Sequence, residues 1–142
     1  KKDLVKMGSY GIGVSRLVGA IIEAKFDEKK NVMKWPASIC PFHCVILPII
    51  NKNDKSKIEI ATKMADEFKK KKIDVIIDDT EDSISSKIKK FNLIGIPFQI
   101  VIGNNFNHNK IEFSEVGQAP EYKSFQEIVN KINKEILNWL LY

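Results

Sequence analysis

The chain has 142 residues, a formal net charge of +5, 44% apolar residues and 29% charged ones. That balance excludes a disordered polymer, and no apolar run reaches the roughly 18 residues a membrane-spanning helix needs, so no membrane partner is expected. The length suits one compact domain, or one domain with a piece of another, and the basic excess favours an anionic partner, nucleic acid above all.

The chain opens Lys1-Lys2-Asp3, with neither an initiator Met nor an apolar signal region, and is read as starting inside a longer protein. Residues 4–10 are expected to form a short strand running into a glycine-rich turn. Residues 17–24 follow as a helix that is apolar nearly all round, the pattern of an element buried against a large surface. Without that surface, the segment 4–24 is expected to pack on its own chain, to pair with another copy, or to lack order. Residues 25–38 are charged, then broken by Trp35-Pro36, and read as a linker.

Beyond the linker the elements alternate. A continuous apolar strand is predicted at 45–50. Asn53 and Asp54 offer caps to a helix carrying Ile58, Ala61, Met64, Ala65 and Phe68 on one face. The basic run 69–72 ends it as a solvated terminus or, less simply, as an RNA contact. A strand at 73–77 leads through the acidic turn 78–82 to a short helix, 83–92. Strands at 99–102 and 111–116 form a hairpin across an Asn-rich loop, with a further short strand near 122–125. Ile128, Ile132, Ile136, Leu137 and Leu140 mark a closing helix from Phe125 to about Leu140. The order predicts an α/β fold: a mixed sheet of four or five strands with helices on both faces.

Two cysteines, Cys40 and Cys44, flank His43. Three ligands at best make a metal site a weak reading, and no metal or disulfide is expected. The stretch from Gly8 to Arg16 carries more. Gly11 and Gly13 let backbone approach a ring or a phosphate, and Arg16, the only arginine among 23 basic side chains, opens the next helix. A tight turn before a packed helix explains the same residues equally well.

Met7-Gly8-Ser9-Tyr10-Gly11-Ile12-Gly13-Val14-Ser15-Arg16 resembles the third signature motif of class II aminoacyl-tRNA synthetases, in the form of bacterial-type prolyl enzymes. The run from Trp35 to Phe42 is similar to that family's passage from catalytic to anticodon-binding domain. Asp78-Asp79 and Leu93-Ile94-Gly95-Ile96-Pro97 resemble signatures of the latter. The resemblance covers essentially the whole chain. It implies that residues 1–34 are the end of a catalytic domain plus linker, and 35–142 an anticodon-binding domain.

It further implies a whole enzyme, cytoplasmic and homodimeric, that uses ATP and Mg2+ to activate proline and charge tRNA(Pro). Gly11, Gly13 and Arg16 would then bind ATP, and Ser9 would lie near proline. No residue here would be catalytic in its own right, and this part alone would be inactive and bind no cofactor. Phe42, Asp79, Thr80, Lys87, Phe98 and Glu112 are the candidates for anticodon contact, because splayed bases stack on aromatics and bond to polar side chains. Each has a plainer alternative: Phe42 and Phe98 as core, Asp79 as a cap or turn, Lys87 as a solvated cation. The chain departs from the family pattern at Thr80, Ser85, Lys90 and Glu115, positions that bear on guanine recognition. A stand-alone tRNA-binding module, or a threonyl, histidyl or glycyl enzyme of the same subclass, is the competing reading.

Overall fold

A computed structural model describes residues 4, 6–36, 39–50, 56–104 and 106–140. Four helices, α1 (Val14–Lys25), α2 (Ser56–Lys70), α3 (Ile84–Ile94) and α4 (Phe125–Leu140), accompany seven strands. The strands β1 (Phe26–Asp27) and β2 (Val32–Met33) form a small antiparallel pair. The other five, β3 (Cys44–Pro48), β4 (Val75–Ile77), β5 (Phe98–Ile102), β6 (Ile111–Glu115) and β7 (Glu121–Lys123), form one mixed sheet. Its order is β4-β3-β5-β6-β7, with β3 parallel to both neighbours and the hairpin β5–β6–β7 antiparallel.

The sheet's period of two divides the core between two faces. Ile46, Ile100, Ile102, Ile111 and Phe113 meet Ala61, Met64 and Phe68 of α2 and Ile128, Val129 and Ile132 of α4. On the opposite face Val45, Leu47 and Val101 meet Phe91 of α3, with Ile84 and Ile88 alongside. Two helices therefore cover one face and a single helix the other. As the central parallel strand, β3 is buried at every position, which explains its unbroken apolar run.

Local chemistry sets the helix ends. Ser124 and Glu127 form a capping box at the start of α4: Glu127 Oε2 accepts from the Ser124 amide (2.8 Å) and hydroxyl (2.7 Å). The Ser83 hydroxyl caps α3, accepting from the Ser86 amide. The same helix ends on Gly95 at φ +84°, the left-handed conformation glycine adopts without strain. The Trp35 indole donates to the Ile94 carbonyl at 2.7 Å, satisfying one of the orphan acceptors of that end.

Three expectations are corrected. No strand forms among the described residues of 4–10, because a strand needs a hydrogen-bonded neighbour and none lies beside this stretch. The helix read from residue 17 begins at Val14 and buries no residue; Leu17, Val18 and Ile22 are about half exposed. The stretch read as a linker folds back as β1–β2 and buries Val32 and Met33, with Met33 against Gly95 and Val32 against Gly117. The proposed caps Asn53 and Asp54, and Ala37-Ser38 of the linker, lie outside the described residues. On α2 the first buried position belongs to Lys57 rather than Ile58, because the lysine stem lies inward while its ammonium bonds to Asn104 Oδ1 at 2.5 Å.

Substituting Gly95→Ala puts a methyl group about 2.9 Å from the Met33 carbonyl in a backbone conformation alanine resists. We expect a loss of roughly 2 kcal/mol or more in unfolding free energy, measured by urea titration. Gly103→Ala, whose added carbon would meet only Ile49 at 3.8 Å, is expected to cost far less in the same assay.

Candidate nucleic-acid interface

In an open sheet with parallel strands, ligands gather outside the strands' carboxyl ends, where the loops converge. Here β3, β4 and β5 end side by side, with Ile46 opposite Ile77 and Pro48 opposite Ile102. Each strand end releases a loop that no strand or helix continues.

At this edge the acidic turn after β4 is organised around Asp78. Its side chain is 2% exposed, and Oδ1 accepts from the Thr80 amide (3.0 Å) and hydroxyl (2.6 Å). An aspartate bonding to the backbone two residues ahead is an Asx turn. Asp78 Oδ2 has the Lys90 ammonium 2.6 Å away as its ion-pair partner, with no hydrogen-bond donor aligned to it. Lys90 also stands 3.8 Å from Asp82, whose Oδ2 accepts from the Thr80 hydroxyl at 3.2 Å.

Lys87 reaches the same turn from inside. It is fully buried, and its Nζ donates to the carbonyls of Pro48 and Asp78, both at 3.0 Å, with Asp78 Oδ1 4.0 Å away. One ammonium thus joins the end of β3 to the end of β4. Burial pulls the Lys87 pKa down, and Asp78 offsets part of that. Burial pushes the Asp78 carboxyl up, but Lys90, the two Thr80 donors and Lys87 together hold it below the usual carboxylate range.

The strand directions divide the sequence candidates. Asp79 and Thr80 are exposed at the carboxyl edge, and Lys87 lies beneath them. Glu112, half-buried on β6, pairs with Val101 near the end of β5 and so shares that edge. Phe42 precedes β3 and Phe98 begins β5, so both lie at the opposite end, about 13 Å away along a strand of this length. Phe98 is 2% exposed and stacks on Phe113 with ring centres 5.6 Å apart. Phe42 is half-buried beside the α3 cluster, and its carbonyl accepts from the Cys40 thiol at 2.8 Å. Ser9, Gly11, Gly13 and Arg16 are all exposed, with Gly13 at the N-cap of α1 and its carbonyl accepting from the Arg16 amide at 3.0 Å.

Among the described residues no three His, Cys, Asp or Glu side chains converge as metal ligands. Cys44 sits in the core, where burial pushes its thiol far up. His43 uses Nδ1 to accept the Asp74 amide at 2.9 Å.

Reading the residues alone did not single out Asp78 over Asp79, nor Lys90 as its partner. The Asp-x-Thr spacing was the available signal for Asp78, since it is the pattern of an Asx turn. Lys90 had no local signal, because its role exists only once α3 crosses the turn.

Comparisons with known proteins agree with this geometry. The sequence pattern of the family described as "Anticodon binding domain" matches residues 43–135. The proline–tRNA ligase of Pelagibacter ubique (strain HTCC1062) is 54% identical over 96% of this chain, which spans 31% of that protein. The proline–tRNA ligase of Sulfurihydrogenibium sp. (strain YO3AOP1) is 36% identical over 93% of the chain, spanning 23% of that relative. Among solved structures, prolyl-tRNA synthetase from Cryptosporidium parvum, complexed with L-proline and AMP, superposes with a TM-score of 0.72. That match covers 88% of this chain and 26% of the other at 19% identity, a likeness of fold.

Replacing Asp78 by Asn leaves Lys87 and Lys90 without their counter-charge. Unfolding free energy at pH 7 is expected to fall by about 3 kcal/mol. Because the folded-state pKa of Asp78 is depressed, its contribution is complete above the ordinary carboxylate value of 3.8 and fades as pH falls through the lower folded value. Urea midpoints of the two proteins should therefore converge below about pH 3.

Proposed function

Because the chain belongs to the anticodon binding domain family, we propose that it is the C-terminal part of a proline–tRNA ligase and that it holds the anticodon loop of tRNA(Pro). The observation that carries this reading is continuity. The likeness to proline–tRNA ligases runs through both the Gly8–Arg16 stretch and the α/β unit, in one order. A module that only bound RNA would have no use for the first of these.

In this reading residues 1–34 close the catalytic domain and 35–142 form the anticodon-binding domain, with β1–β2 of the first part seated on the second. The whole enzyme, a cytoplasmic homodimer, would activate proline with ATP and pass it to tRNA(Pro). Gly11 and Gly13 would let backbone approach the nucleotide. Arg16 would offer a planar, permanently charged fork to a phosphate or a face to the adenine. Ser9 would lie towards proline. None of these needs to act as a nucleophile, since activation of a carboxylate by ATP relies on orientation and charge stabilisation. Mg2+ would accompany the ATP. Ser9, Gly11, Gly13 and Arg16 include no carboxylate to hold it, so no step here is assigned to the metal.

For the anticodon, the carboxyl edge of the sheet is the supported location. Asp79 and Thr80 stand exposed on a turn fixed from below by Asp78 and Lys87, and Glu112 offers an acceptor on the neighbouring strand. Phosphates of the loop would meet the lysine-rich surface, and base edges would meet the polar side chains. Phe42 would contribute from the far end only to a loop wrapping across α3. Phe98 and Lys87 would act through packing and turn geometry, because both are buried.

The test is a titration of the chain with a proline anticodon stem-loop and with a variant whose two guanines are replaced, each at two salt concentrations. A guanine preference that persists at higher salt is the expected result. Equal binding of both RNAs, falling steeply with salt, would reduce the interaction to lysine–phosphate contact and overturn the anticodon reading.

A further inference from the structure

Helix α3 covers only the β3–β5 side of its face, and beyond it the sheet stays open. There Val101, Glu112 and Tyr122 lie opposite one another across β5, β6 and β7 and therefore share that face. The row grades from buried Val101 (7% exposed), through half-buried Glu112, to Tyr122 at 63%. Past Val101 the strand runs out to Gly103, whose missing side chain leaves a recess of about 210 Å³ walled by Phe106 and Lys110. The Lys110 ammonium stands 5.2 Å from the Tyr122 ring centre. Its backbone is held by the turn, where the Lys110 amide donates to the Asn107 carbonyl at 2.9 Å.

These groups complement one nucleotide. A recess of this size lies below the range of whole-cofactor pockets and suits a single planar ring. Tyr122 offers an exposed aromatic face for stacking, Val101 an apolar floor, and Lys110 a cation at the rim where a phosphate would lie. Glu112 supplies an acceptor-only edge. Of the four RNA bases only guanine presents two adjacent donors, N1–H and the N2 amino group, to such a carboxylate. Adenine would turn its unprotonated N1 towards the same oxygens.

We propose that the recess between Gly103 and Tyr122 is a nucleobase subsite selective for guanine, with Tyr122 as its stacking platform and Glu112 as its reader. The proposal rests on the anticodon-binding reading and extends it to Tyr122 and Lys110, which neither motif nor periodicity marked.

Two measurements on the 142-residue chain separate the proposal from the reading beneath it. In the first, amide resonances are followed while GMP or AMP is added. GMP is expected to shift Val101, Lys110, Glu112 and Tyr122, and AMP to shift them less. In the second, stem-loop affinity is measured for Tyr122→Ala, Tyr122→Phe and Glu112→Gln. Tyr122→Ala should weaken binding on the order of tenfold, the effect of losing one base–aromatic stack, while Tyr122→Phe keeps it. Glu112→Gln should erase the guanine preference. Guanine-selective binding of the stem-loop that all three variants retain unchanged would leave the anticodon reading standing and overturn the subsite. A chain that binds no stem-loop, yet whose recess still responds to GMP over AMP, would keep the subsite and overturn the anticodon reading. No response in either measurement would overturn both.

Discussion

A lysine whose ammonium has no access to water must find acceptors inside the protein, and Lys87 finds them on two different strands. The carbonyls of Pro48 and Asp78 are the last acceptors of β3 and β4, and a single group holds both at 3.0 Å. Pro48 offers no N–H of its own, so the strand end presents acceptors only. The cation then requires a nearby anion, which Asp78 supplies, and Asp78 in turn draws in Thr80 and Lys90. A buried charge left without this set would cost several kcal/mol. The position of the acidic turn, and whatever it presents to solvent, is therefore tied to the spacing of two parallel strands.

The same constraint explains why some candidates were legible in the sequence and others were not. The α/β order, the two-sided core and the closing helix followed from period and length, because burial imposes those patterns residue by residue. The inward face of α4 is an example: Ile128 and Ile132 are buried where the spacing placed them. Leu137, assigned to the same stripe, is 61% exposed because the helix extends past the sheet that would cover it. Lys87 could not be read as buried, since nothing local in Ser-Lys-Ile distinguishes a solvated lysine from one aimed at two carbonyls. Phe42 and Phe98 lie at the wrong end of their strands to join Asp79, a fact of strand direction that residue type alone does not contain.

The apolar helix α1 is a contrasting case. Its composition anticipated burial, yet it buries nothing within this chain. Met7, Tyr10, Ile12 and Val14 are all at least three-quarters exposed. The sequence pattern reports the environment in which a segment was selected, and that environment need not lie in the same piece of chain. The relatives this chain matches are about three to four times its length, which is consistent with such a surface lying elsewhere in them.

The sheet order carries a consequence for how the chain reaches its native state. β3 comes first among the five strands yet sits between two that are made later, each reached by a helical crossover. Its flanking partners, beginning at Val75 and Phe98, are distant in sequence, so β3 gains nothing until long loops have closed. The local hairpin β5–β6–β7 can assemble early, but it lacks its parallel neighbour until β3 docks. Folding should thus be slow for the size of the domain and governed by one late, non-local event. A nascent chain that has not yet emerged past β5 would hold its most apolar strand, Cys-Val-Ile-Leu-Pro, with one edge unpaired. That interval, rather than the finished fold, is when the protein is most exposed to misassociation.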